Sequence, residues 1–318
     1  MTTHPTHDGI LRAAKLIDPV FLKTPIVTHP DIDKALGARL LLKDETANPI
    51  RSFKGRGTEH YAATRDLKGR EIVCASAGNF GQGLTRAGKQ RGAKVTVVVA
   101  TKASPIKVRM MRDLGATIHV AGDDFDGANA AAKAYAKEKG LDYVEDAAFP
   151  EIAEGAGTLA LEMTEAGHAV DAFFVPVGGA ALINGVGTWM KHAQPKCQVI
   201  GVVAEGAPSY KHSFEARKVI GTATCNTIAD GIAIRAPVAI SVETMLRVVD
   251  RVVVVSDAEI IAAMQRLYQT TGIVVEPAGA AGIAAAFRYR AEWPGKTLAT
   301  ILCGGNLTDG QKADWLGV

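Results

Sequence analysis

Lys54 has the neighbours that turn a lysine into a reagent. It lies in the stretch Asn48-Pro49-Ile50-Arg51-Ser52-Phe53-Lys54-Gly55-Arg56-Gly57, behind an aromatic residue and ahead of two glycines. A lysine head group either stays solvated or is tuned by its surroundings. Cover from Phe53 and from bare backbone would strip water from the amine, and a neutral amine is a nucleophile and a base. Read alone, the stretch is equally a surface turn with a solvated lysine.

Three glycine-rich turns add to it. Ser76-Ala77-Gly78-Asn79 follows a strand and opens a helix, so its backbone amides can hold an anion such as a carboxylate. Asn79 can donate and accept at once. Val177-Gly178-Gly179-Ala180-Ala181-Leu182 has small residues that let amides close on a phosphate, with a helix dipole behind them. It is neither a dinucleotide fingerprint nor a Walker A loop, which points to one phosphate rather than a nucleotide. The third turn, Cys303-Gly304-Gly305-Asn306, places a cysteine at a strand end. A lone cysteine is most often a small hydrophobe.

The elements that position these turns alternate. Strands are predicted at Leu40–Leu42, Glu71–Ala75, Lys94–Ala100, Thr117–Val120, Tyr143–Val144, Phe173–Val177, Val199–Ala204, Val252–Val255 and Leu298–Leu302. Helices are predicted at Ile10–Ile17, from the Ser76 turn to Arg91, and at Pro105–Leu114, Asp126–Glu138 and Thr158–Ala166. Further helices are expected at Leu182–His192, Ala258–Tyr268 and Ala280–Tyr289. Ser104-Pro105 reads as an N-cap followed by a first-turn proline. The pattern is α/β: two lobes, each a mostly parallel twisted sheet covered by helices. Ligands of such sheets sit at the carboxyl ends of strands, where the three turns lie.

With 318 residues, 47% of them hydrophobic, the chain has material for two closely packed lobes. A net charge of +3 without a basic run argues against nucleic acid or an anionic membrane as partner. The N-terminus has no secretory pattern, and four scattered cysteines form no C-x-x-C pair. A cytoplasmic protein without zinc or disulfides is expected.

Taken together, Lys54, Asn79, the Gly178 turn and Cys303 make the chain resemble the fold-type II pyridoxal-phosphate enzymes, of tryptophan synthase β-like fold. Within them it is most similar to the serine/threonine dehydratase and serine racemase branch. Ser52–Gly57 resembles the lysine motif, and Ser76-Ala77-Gly78-Asn79-Phe80-Gly81-Gln82-Gly83 resembles the substrate and cofactor loop. Thr227–Ala233 and Glu276-Pro277-Ala278-Gly279-Ala280 are also similar to family stretches.

The resemblance implies roles. Lys54 carries the cofactor as a Schiff base and then acts as base at Cα. Phe53 packs beside the cofactor, Asn79 contacts its ring hydroxyl, and Gly178, Gly179, Ala180, Ala181 and Leu182 hold its phosphate. Cys303 faces the pyridine nitrogen, and Glu276 has a supporting role. Ser76, Ala77, Gly78 and Asn79 cradle the substrate carboxylate, with Phe80 beside them. In relatives the cofactor phosphate protonates the departing hydroxyl. The phosphate turn departs from the usual four glycines at Ala180 and Ala181, so it is expected to avoid positive φ there. The acidic positions of a divalent-ion site appear as Val203 and Ser209, so no metal is expected. Racemases of the family use a serine at the position of Ala77, so little racemization is expected.

The expected division is a large cofactor-binding domain, residues 1–67 and 149–318, and a small mobile domain, 68–148, carrying the substrate loop. The expected activity is α,β-elimination from a 3-hydroxy-L-amino acid to a 2-oxo acid and ammonia, by a homodimer. Phe80 points to an uncharged side chain, with threonine, serine or 3-phenylserine as candidates; its other reading is as packing at the lobe interface. Alternatives are a serine racemase-type racemase, a 3-hydroxyaspartate dehydratase, a β-replacement enzyme and a carrier protein. Only Leu307–Val318 follow the Cys303 turn, so no effector domain is expected.

Overall fold

A computed structural model describes residues 3–318. Its larger sheet runs in the order β1 (Ile26–Val27), β2 (Arg39–Asp44), β10 (Thr297–Leu302), β7 (Ala172–Pro176), β8 (Gln198–Ala204), β9 (Arg251–Val255). All its pairings are parallel except β1 with β2. The smaller sheet, all parallel, runs β5 (Thr117–Val120), β4 (Lys94–Val99), β3 (Glu71–Ala75), β6 (Asp142–Tyr143). The helices up to residue 165 are α1 (His7–Leu16), α2 (Pro30–Leu36), α3 (Lys54–Ala63), α4 (Asn79–Gln90), α5 (Pro105–Leu114), α6 (Phe125–Lys139) and α7 (Pro150–Glu165). Beyond it come α8 (Ala181–Ala193), α9 (Ser209–Ala216), α10 (Ala239–Val248), α11 (Asp257–Thr271), α12 (Pro277–Arg288) and α13 (Asp309–Leu316).

Strand β7 is buried along its whole length, as a central parallel strand covered on both faces must be. One face of the larger sheet packs on α2, α11 and α12. The other packs on α7, α8 and α10. The smaller sheet lies between α3, α4 and α5 on one side and α6 on the other. No described helix is long and apolar enough to cross a membrane.

The structure corrects four expectations. The Lys54 stretch is not a free turn: Lys54 is the first residue of α3. Helix α7 begins at Pro150 rather than Thr158. Gly155 and Gly157 interrupt its helical pattern in the sequence, yet they serve close packing. A Cβ on Gly155 would stand 2.5 Å from the carbonyl oxygen of Arg56, and one on Gly185 would stand 1.9 Å from that of Ala153. These contacts bring α3, α7 and α8 together backbone to backbone. Ser104 precedes α5 but its side chain makes no cap hydrogen bond. Ala180 adopts φ 70°, where positive φ was expected to be avoided.

Beneath α3 lies an internal charge cluster. Arg56 is fully buried and bonds both Glu45, through Nε at 3.0 Å and Nη2 at 2.9 Å, and Glu162, through Nη1 at 2.6 Å. Lys43, equally buried, pairs with Glu162 at 2.7 Å. These bonds tie α3 to β2 and α7.

Candidate active site

Three strand ends converge. Strand β10 delivers Cys303, β7 delivers Gly178, and β3 delivers Ser76. Phe53 N donates to the Cys303 carbonyl at 3.0 Å, and Ser52 bridges to Gly304, so the start of α3 is fastened to the end of β10. Asn48 shapes the approach: its Oδ1 accepts from Ile50 N and Ser52 N, each at 3.2 Å, and its Nδ2 donates to the Ser52 carbonyl at 3.0 Å. The candidate cofactor and substrate residues all line one cleft, from Phe53 and Lys54 through the Ser76–Phe80 loop and the Gly178–Leu182 turn to Cys303.

The Lys54 side chain is 17% exposed, with its Nζ 4.8 Å from the Phe53 ring centre and 5.9 Å from that of Phe80. Its partner is the Asp146 carboxylate. Phe80 is buried within the core of the smaller sheet and also lines the cleft. The Ser76 hydroxyl is used within its own loop, accepting from Gly78 N at 3.0 Å and Gly81 N at 2.8 Å. At Gly78 the chain passes Lys107 so closely that a Cβ would stand 2.5 Å from Lys107 Cδ. Asn79 is clamped: its Nδ2 donates to Glu276 Oε1 at 2.6 Å, and its Oδ1 accepts from Asn306 Nδ2 at 2.9 Å.

The Gly178 turn caps α8, whose first amides have no intrahelical acceptor. A Cβ on Gly178 would meet the Gly231 carbonyl oxygen at 2.3 Å, so the turn fits only with glycine there. Tyr210 Oη donates to the Gly179 carbonyl at 3.1 Å and holds the turn from below. Burial pushes the Cys303 thiol well up, so it stays neutral.

The sequence reading missed several lining residues. Lys107 on α5 bonds Asp230 at 2.7 Å and stands 3.4 Å from Glu276. Burial acts against its charge, but the carboxylates of Glu276 and Asp230 outweigh that and push its pKa up. Burial pushes Glu276 up, and Lys107 opposes it. Asp146 lies three residues past β6, at a carboxyl edge where ligands gather. Asp230 lies inside the Thr227–Ala233 stretch already singled out. Position was the only available signal, since isolated charges in loops read as solvated. Among the described residues no group of three or more His, Cys, Asp or Glu could hold a metal ion.

A model of the family described as "Pyridoxal-phosphate dependent enzyme" matches residues 17–304. The chain belongs to this family. It is 33% identical over 304 residues to an L-threonine ammonia-lyase of Thermotoga maritima, covering 95% of this chain and 76% of that one. It is 31% identical over 304 residues to a biosynthetic L-threonine dehydratase of Lactococcus lactis, covering 92% and 73%. Among solved structures, maize serine racemase matches with TM-score 0.91 and 27% identity, covering 98% of this chain and 96% of that one. A T.th. threonine deaminase matches with TM-score 0.89 and 31% identity, covering 96% and 99%. The fold is that of fold-type II members of the family, the cofactor is pyridoxal phosphate, and the enzyme class is carbon–oxygen lyase. The cleft fits that cofactor on its own chemistry. It offers an amine, a cup of small residues at a helix N-terminus for a phosphate, and a neutral buried thiol.

Proposed function

We propose that this enzyme converts a 3-hydroxy-L-amino acid with an uncharged side chain into a 2-oxo acid and ammonia, with threonine and serine as substrates and 3-phenylserine as a candidate. Its relatives' names support the first pair. When bound, the cofactor draws electron density from the substrate Cα and makes that proton removable. Lys54 would hold the cofactor and then take the Cα proton. Phe53 would pack beside the ring, Asn79 would meet its hydroxyl, the Gly178–Leu182 turn would hold its phosphate, and Cys303 would face its nitrogen. A neutral thiol does not keep a proton on that nitrogen, so the electron sink is weak and prompt loss of a β-leaving group is favoured. The amides of the Ser76–Asn79 loop would hold the substrate carboxylate, and Phe80 would border its side chain.

The observation that carries this reading is that position 77 on the substrate loop is an alanine, with no proton to exchange. The neighbouring Ser76 oxygen accepts from Gly78 N and Gly81 N, which holds it within its own loop. Lys54 can remove a proton, but Ala77 cannot return one from the other side, which favours elimination over racemization. The acidic lining, with Asp126, Glu145, Asp146, Asp230 and Glu276, opposes a second substrate carboxylate.

The test is a panel of L-threonine, L-serine, 3-phenylserine and 3-hydroxyaspartate, with oxo acid and D-amino acid measured together. Oxo acid from the uncharged substrates is expected. Hydroxyaspartate as the best substrate, or D-serine formed as fast as oxo acid, would sink the reading. A homodimer with a mobile smaller unit, residues 68–148, is part of the same proposal.

A further inference from the structure

Asp146 belongs to no motif, yet it touches the catalytic lysine. One carboxylate oxygen, Oδ2, contacts Lys54 Nζ, and the other, Oδ1, is enclosed with no hydrogen-bond partner. Four of the acidic residues lining the cleft keep other partners. Glu145 takes Lys133 and Asn129, Asp126 takes Arg235, and Asp230 and Glu276 share Lys107. Asp146 alone depends on Lys54 among the described residues. That partner would change once per cycle, because Lys54 would no longer present a free ammonium group while it held the cofactor. The Asp146 side chain is 19% exposed with Oδ1 unpartnered, and a proton held by this carboxyl would supply a donor there. Asp146 also borders the phosphate turn: a Cβ on Gly179 would stand 3.6 Å from its Oδ2. Both the base and the turn are therefore within its reach.

We propose that Asp146 is the acid that protonates the departing hydroxyl, in place of the cofactor phosphate, and that it shares one proton with Lys54. This rests on the dehydratase reading. With Lys54 a free amine and Asp146 a carboxylic acid, the Cα–H proton passes to Lys54 Nζ. The Cα–H electron pair forms the second Cα–Cβ bond as Cβ–O breaks with its own pair staying on oxygen, and the Asp146 proton joins that oxygen to make water. What remains is the lysine ammonium against the Asp146 carboxylate, the ion pair the structure contains. When Lys54 releases product and rejoins the cofactor, its extra proton returns to Asp146. No proton is gained or lost by the pair, and no further reactant is needed.

The experiment compares leaving groups. Chloride departs from β-chloro-L-alanine without a proton, and hydroxide departs from L-serine only with one. The ratio of kcat/KM for chloroalanine to that for serine is measured in the unmodified holoenzyme and in Asp146→Asn and Asp146→Ala. Cofactor fixed to the chain by borohydride is counted in each. Loss of a general acid costs roughly 10²–10⁴-fold, so the ratio is expected to rise at least tenfold in a variant that still fixes cofactor normally. A smaller rise in such a variant overturns the proposal. If neither variant fixes cofactor, Asp146 is a support for binding and the proposal is also overturned. If the unmodified enzyme eliminates chloride but never water, the dehydratase reading falls and takes this one with it. If it eliminates water and only the ratio fails to move, this proposal falls alone.

Discussion

Ala180 holds the left-handed conformation, φ 70° and ψ 0°, at the N-cap of α8. A side chain there costs about 1–2 kcal/mol of backbone strain. Glycine would remove that strain and lose about 0.4–1 kcal/mol through the freer unfolded chain. The first effect is the larger, so Ala180→Gly is expected to raise stability by about 0.5 kcal/mol. Urea titration checks it, and a destabilised variant would mean that the methyl packs usefully. Lys54→Ala is expected to abolish borohydride fixation of the cofactor together with turnover, and a variant with normal turnover would remove Lys54 from the mechanism. The residues of the Lys54, Asn79, Gly178 and Cys303 stretches were legible only through their order and spacing together, since each stretch alone reads as readily as an ordinary turn. Asp146, Lys107 and Tyr210 were not, because nothing in a sequence distinguishes a buried charge or hydroxyl from a solvated one until its partner is known. The positive φ of Ala180 departs from steric preference because the turn ahead of α8 requires that conformation.

At the scale of elements, most strands and the long helices follow from periodicity, while β1, α2, α3, α9, α10 and α13 are not predicted from it. Helix α3 carries Arg56, Glu59 and His60 on a face that looks polar, and all three are buried. Their burial is supported by partners elsewhere in the chain, which local patterning cannot reveal. Glu162 is the test case. Burial alone would raise its carboxyl, but Arg56 and Lys43 outweigh burial and hold it below the ordinary 4.5. Glu162→Gln would leave Lys43 enclosed without a carboxylate facing it, a loss of about 3–5 kcal/mol. A carboxyl lowered in the folded state contributes fully above its unfolded pKa and loses that contribution as pH falls through the folded value. The gap between unmodified protein and variant should therefore be flat near neutrality and shrink below the ordinary value of 4.5. Denaturant melts across that window check it, and a gap that widened in acid would refute the assignment.

For the whole molecule, the question is what holds the smaller sheet against the larger one across the cleft. Several charged ties among the described residues do so, and two of them differ sharply in burial. Arg235 reaches Asp124 at 2.6 Å and Asp126 at 3.3 Å near the start of α6. Lys107 on α5 reaches Asp230 and Glu276. Their surroundings decide which matters more. The Arg235 side chain is 30% exposed and its Asp124 partner 42%, so this tie is worth about 0.2–1 kcal/mol. The Lys107 and Glu276 side chains are 7% and 3% exposed. Removing one partner of such a buried pair costs about 3–5 kcal/mol, because the other charge is stranded. Lys107→Met is therefore expected to lower stability several times more than Arg235→Ala in urea melts. The stranded group is identifiable. Glu276 is already raised by burial, and without Lys107 only the Asn79 hydrogen bond opposes that. A carboxyl raised in the folded state weakens the fold at pH above it, and the penalty fades as pH falls and the group takes a proton. The Lys107→Met deficit should therefore be smaller at mildly acidic pH than at neutral pH. The double variant Lys107→Met/Glu276→Gln should recover part of it at neutral pH. A deficit that ignored pH and did not change in the double variant would mean that Lys107 acts through its packing, with the tie to Glu276 contributing nothing to holding the two sheets together.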